Sequence, residues 1–585
     1  MSHRRTTVFG ATLLALQLSM PFSALCATPV RAQVKADLVL LGGRVYIMDA
    51  VRSNAEAVAV SAGKIAFVGN DQDAQAYVGA QTKVVELGGR MVLPGFYDCH
   101  CHLMDGGMII SQCDLDNAQT KQETLETIKK YAEAHKKESW IQGAGWSLPL
   151  FPDASPRKED LDSVVADRPV FLLSQDCHSA WVNSKALQLA GVTAKTPDPP
   201  RGRIERDAKT GEPSGTLRES AVELVHQVAP KASDKERADG LERAVELANK
   251  FGITSVQDAD CNADVLNAYL EVQKRGKLNL KVVACLHTDP SEGIAQLPRL
   301  IRMREKFSQG RLRATSAKIF ADGVIEAHTA SMLEPYSDRA NEKGIANYTA
   351  DELTKLVSML NLAKFQVHIH AIGDRAVRDA LDAFETDGGI KNIDLRNEIA
   401  HLEVVAPEDI PRFRQLGIVA NCQPFWAYSD PYIKQCTLPL IGEERAKRLY
   451  LFGNLYRSGA SMCGGSDWPV TTLNPLDEIQ VAVTRQALGD EREAPLLPEQ
   501  KLELPDAIAA YTINGAFVNH EEHETGSIEV GKAADLIVVS KDLFTLDPHE
   551  IHNAKVQLTL LDGQEVYRDE SFPPQDVATH VESRR

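Results

Sequence analysis

His100 and His102 flank Cys101 at the end of the apolar run Met91-Val92-Leu93-Pro94-Gly95-Phe96-Tyr97. Side chains alternate along a strand, so residues two apart share a face. Their backbones then lie about 7 Å apart, and both imidazoles can lean onto one cation at about 2.0–2.1 Å. A strand that ends in paired metal donors belongs at the mouth of a β/α barrel, where such sites are built. Cys99 and Cys101 alternate with the histidines and read as core residues on the opposite face.

The rest of the chain supports that architecture. From 93 to 518, strand-like runs such as Val170-Phe171-Leu172-Leu173, Ile253-Thr254-Ser255-Val256 and Val282-Val283-Ala284-Cys285 alternate with helical stretches. This order predicts an α/β fold with a (β/α)₈ TIM barrel. A plain barrel takes about 250 residues, so the surplus is assigned to an inserted subdomain at about 112–249. Both ends of the chain read as short strands with few helical signals. Segments 33–92 and 519–585 are therefore expected to form one small β-sandwich together, because a lone small sheet is marginally stable.

The chain has 585 residues and a formal net charge of -17. That acidity argues against nucleic acid and anionic membranes as partners. The first 32 residues resemble an export signal: His3-Arg4-Arg5, an apolar stretch from Val8 to Leu25, then Val30-Arg31-Ala32. The mature protein is expected to be exported to a periplasm, with no membrane association after signal removal. Oligomeric state, including a homo-oligomer, is left open. The 10 cysteines form no small-domain disulfide framework.

Further donors end other strand-like runs. His370 is preferred over His368 as a ligand because it lies nearer the strand end. His401 ends Glu398-Ile399-Ala400-His401. Asp467 follows Gly464-Gly465-Ser466, where glycines allow close backbone approach; it can bind a metal and take a proton from the attacking water. Lys318 lies between Ala317 and Ile319, and as a carbamate it would become an anionic oxygen ligand. Imidazole and carboxylate donors suit zinc, and also iron, manganese or cobalt. Trp140, Trp146, Trp181 and Trp468 are candidates for an aromatic pocket.

With these residues assembled, the chain resembles the amidohydrolase superfamily, and within it the amidohydrolase-3 branch that contains N-substituted formamide deformylases. The resemblance is carried by Leu93 to His102, Lys318-Ile319-Phe320-Ala321-Asp322-Gly323, His370 to Ala376, Ile399-Ala400-His401, Gly465 to Pro469 and Asp176 to Ser184. It implies a distorted TIM barrel and one or two divalent ions, with zinc the leading candidate. It places His100, His102 and Asp467 on a first ion and His370 and His401 on a second, with carboxylated Lys318 as bridge. It also implies that His178 and Trp181 contact substrate. Cys177 departs from the glycine common in such proteins. The expected activity is metal-dependent hydrolysis of a non-peptide carbon–nitrogen bond in a small molecule, such as an N-formyl or N-acyl amine or a cyclic amide. The alternatives are ester, lactone or phosphoester hydrolysis at the same centre, or a non-catalytic metal-binding relative.

Overall fold

The computed structural model describes residues 35–490 and 492–573 and the backbone of 576–577. The expected export signal, including Cys26, lies outside the described residues. Among the described residues, no helix is long and apolar enough to cross a membrane.

Eight parallel strands form one continuous sheet in chain order. They are β1 (Phe96–Cys101), β2 (Ile253–Cys261), β3 (Lys281–His287), β4 (Leu312–Phe320), β5 (Gln366–Ala371), β6 (Glu398–His401), β7 (Val419–Cys422) and β8 (Met462–Gly464). The period of two sorts their side chains. Along β5, Val367, Ile369 and Ala371 belong to the apolar cluster with the surrounding helices, and Gln366, His368 and His370 take the other face. The outer helices follow the complementary rule. In Ala350–Leu362, Leu353, Leu356, Val357 and Leu360 are buried at helical spacing. Thr349 and Glu352 close its first turn as a reciprocal cap.

Within the stretch expected to be inserted, six strands form a separate sheet running from Gly202–Arg206 at one edge to Cys113–Asp114 at the other. Trp146, Phe151 and Trp181 pack edge-to-face in its core, with centroids 5.0–6.4 Å apart. The helix Asp234–Lys250 also falls in that stretch, but its Leu241, Ala244, Val245 and Ala248 belong to the barrel core.

The chain ends meet beside the barrel. Strand Leu536–Val539 pairs antiparallel with Met91–Pro94, Ile537 opposite Leu93. A second sheet carries Leu38–Leu41 and Ala57–Ser61. Leu38, Leu40, Val58, Val60, Val92, Leu536 and Val538 form a shared apolar cluster. Gly95 is the pivot from this sheet into β1. A Cβ there would lie 2.3 Å from Thr254 Oγ1, so a larger residue cannot make the crossing without displacing β2.

Trp181 corrects one expectation. It is fully buried, and its indole N–H donates to Arg157 O at 2.9 Å. It packs the inserted unit and offers no surface to a substrate. Trp181→Ala is expected to cost about 3–5 kcal/mol of unfolding free energy in urea titration, with bound metal per folded chain unchanged.

Candidate metal centre

Strand ends bring the expected donors together. Lys318 Nζ lies 3.1 Å from His100 Nε2. Asp467 Oδ1 lies 3.4 Å from His100 Nε2 and 3.1 Å from His102 Nε2. The His401 ring sits 4.7 Å from that of His100 and 4.5 Å from that of His370. One ligand atom each from His100, His401 and Asp467 falls within 4.8 Å of the others. His401, expected on a second ion with His370, therefore also sits within reach of the first group.

Asp467 is placed by the way the barrel closes. Asp467 N donates to His100 O at 2.6 Å, and His102 N donates to Trp468 O at 2.8 Å. Gly465 makes this approach possible, because a Cβ there would lie 2.6 Å from His100 N. Asp98 ties the same seam, accepting from His100 N at 3.1 Å, Ser466 N at 3.0 Å and Ser466 Oγ at 2.5 Å. His401, Leu402 and Asp467 all have positive φ, at 77°, 54° and 54°. Non-glycine residues adopt such backbone at a cost of about 1–3 kcal/mol each, and they cluster at functional sites.

The electrostatics favour a cation. Burial drives the His100, His370 and His401 imidazoles well below their usual pKa, with neighbouring Lys318 and the other histidines adding to the effect. Neutral imidazoles offer lone pairs. Burial also lowers Lys318, against the opposing pull of Asp467. His401 Nδ1 and Asp467 Oδ1 are buried and make no aligned hydrogen bond. Buried polar atoms without partners are costly. A divalent ion bound by nitrogen and carboxylate donors satisfies both atoms, so the residues present fit such an ion.

The Amidohydro_3 model of the amidohydrolase family matches residues 83–567. The chain belongs to the amidohydrolase family. It is similar to the Protein LONG AFTER FAR-RED 3 of Arabidopsis thaliana, with 31% identity across 96% of each chain. It is also similar to an N-substituted formamide deformylase of Arthrobacter pascens, with 29% identity over 90% of this chain and 97% of the relative. Among solved structures, an uncharacterised metal-dependent hydrolase of Pyrococcus horikoshii superposes with a TM-score of 0.69 and 26% identity, covering 87% of this chain and 99% of that one. The protein is a metal-dependent hydrolase acting on carbon–nitrogen bonds.

In this amidohydrolase the choice between His368 and His370 has a structural answer. His368 Nε2 lies 2.9 Å from His100 Nδ1, and its Nδ1 lies 3.1 Å from Glu398 Oε1. Both ring nitrogens are engaged away from the centre. His370 Nε2 faces Gly323 O at 3.2 Å. A carbonyl accepts, so Nε2 carries the proton and the lone pair is on Nδ1. Asp322 holds the surrounding loops by accepting from Ser331 N, Ile372 N and Gly373 N. The roles of Asp322, Glu398 and Asn421 escaped the sequence reading, since their partners lie on other strands or loops, and that of Asp98 did because its bonds to Ser466 cross the barrel seam.

His178 approaches from the inserted unit, its ring 5.8 Å from that of His370. Its Nδ1 lies 3.0 Å from Glu219 Oε2. Cys177 beside it has φ 61°, the left-handed backbone that glycine adopts most readily. Burial opposes charge on His178, but Glu219 overcomes it and the imidazole is pushed up to about 9. A raised folded-state pKa gives stability that is fully present below the unfolded value of about 6.5 and lost as pH rises through about 9. The drop in melting temperature caused by His178→Gln is therefore expected to be largest near pH 6 and to shrink steadily towards pH 10.

Proposed function

We propose that this amidohydrolase releases an amine from a small N-formyl or N-acyl amine, or opens a cyclic amide, with zinc as its working cation. Asp467 Oδ1 carries the reading. It is a buried carboxylate oxygen within 3.1–3.4 Å of two histidine nitrogens at the barrel mouth. The formamide deformylase relative, aligned over 97% of its length, supports the substrate class.

His100, His102, His401 and Asp467 would hold the cation, with His370 Nδ1 alongside. When bound, a divalent ion supplies Lewis acidity that lowers the pKa of a water and polarises a carbonyl. The chain's own residues then govern the protons. Asp467 accepts the proton of the attacking water and passes it to the departing amine, whose expulsion otherwise limits amide cleavage. His178, held charged by Glu219, orients the substrate carbonyl from the inserted unit. Lys318, with its ammonium form disfavoured by burial, presents an amine able to take up carbon dioxide. The resulting carbamate would give a second ion the anionic oxygens it needs.

Dialysis against a chelator is expected to abolish hydrolysis of N-formyl and N-acyl amines, and zinc to restore it. Asp467→Asn is expected to lower kcat by about 10²–10⁴ on that substrate. Full turnover by metal-free protein, or faster cleavage of lactones or phosphotriesters than of any amide in a substrate panel, would overturn the proposal.

A further inference from the structure

We propose that Glu398 and His368 act as positioning residues that fix the tautomer of His100, so that the Nε2 lone pair faces the cation. The proposal rests on the reading of His100 as a metal ligand and extends it to residues that touch neither metal nor substrate.

A chain of buried groups with forced donors and acceptors leads from Asn421 to His100. Asn421 Nδ2 lies 2.8 Å from Cys99 O. A carbonyl can only accept, which fixes the amide orientation. The same Nδ2 therefore donates to Glu398 Oε2 at 2.9 Å, and Gln423 Nε2 donates to Asn421 Oδ1 at 3.0 Å. Glu398 is fully buried. Its Oε1 lies 3.1 Å from His368 Nδ1 and has no better-aligned partner. A buried carboxylate oxygen needs a donor, so the proton of His368 sits on Nδ1. His368 Nε2 is then an acceptor, and the group facing it at 2.9 Å is His100 Nδ1. His100 must carry its proton there. Its Nε2 is left with a lone pair, directed towards Lys318 Nζ at 3.1 Å and Asp467 Oδ1 at 3.4 Å.

All four side chains, Asn421, Glu398, His368 and His100, are at most 1% exposed. Among the described residues, His368 Nδ1 also meets Cys285 Sγ at 3.8 Å. If that thiol donated to Nδ1, the proton of His368 would move to Nε2 and His100 Nε2 would become protonated, which blocks metal binding. Glu398 is the group that selects the productive arrangement.

Two substitutions separate this role from simple packing. In Glu398→Gln the amide can donate to His368 Nδ1, which reverses the relay. In His368→Gln the side-chain amide oxygen can still accept from His100 Nδ1–H. The measurement is zinc and cobalt(II) affinity of metal-stripped full chain by chelator competition, with melting temperature recorded in parallel. Glu398→Gln is expected to weaken metal binding about 10- to 100-fold and to regain most of kcat at saturating zinc. His368→Gln is expected to stay within a few-fold of wild type in affinity. Wild-type affinity in folded Glu398→Gln, or equal losses in both variants, would overturn the relay while leaving the metal centre standing. Failure of the wild-type protein to bind zinc would overturn both.

Discussion

The seam between β8 and β1 is the constraint on which the centre depends. Elsewhere adjacent barrel strands pair through parallel ladders, with register shifts between β1 and β2, β2 and β3, and β3 and β4. At this seam, backbone bonds from Asp467 N to His100 O and from His102 N to Trp468 O draw the post-β8 loop onto β1. One short irregular contact thus sets the position of Asp467 relative to both histidines. Gly465 permits it by lacking a side chain where His100 N comes close. The strained backbone at Asp467 is held by this packing and by the buried carboxylate of Asp98, which bonds the neighbouring Ser466. Binding geometry and barrel closure are consequently one feature, and a disturbance of either disturbs both.

Around that seam the protein arranges charge in layers. The centre joins three imidazoles kept neutral by burial, those of His100, His370 and His401, to His102, which Asp467 holds above its usual pKa against burial, and to one lysine. Outside it lie acidic groups whose job is to hold other groups still: buried Glu398 behind His368, buried Asp322 under the loops near His370, and half-buried Glu219 behind His178. The inserted sheet contributes through His178, which extends an otherwise ordinary packed unit to the barrel mouth. The overall acidity of the chain is spread over the surface and does not describe the site, where the local balance of nitrogen and oxygen decides what binds.

The alternation of strand and helix made the barrel legible, because period-two and 3.6-residue patterns are local properties of sequence. The convergence of strand-end imidazoles such as His100, His370 and His401 was legible for the same reason. His368 and Trp181 show where local reading stops. His368 shares a face with His370, but its ring nitrogens are claimed by His100 and Glu398, residues 268 and 30 positions away. Trp181 lies near the readable His178, yet strand alternation sends its ring into the core of the insert. Asn421 carries no local signal at all, since its function is to join Cys99 O to Glu398 across the barrel.

The most direct measurement is anomalous scattering at the zinc absorption edge from crystals of the zinc-loaded protein. The account expects a peak about 2.0–2.2 Å from His100 Nε2, a His401 ring nitrogen and an Asp467 carboxylate oxygen. A zinc-loaded crystal whose only peaks lie against other residues, or which shows none, would contradict it.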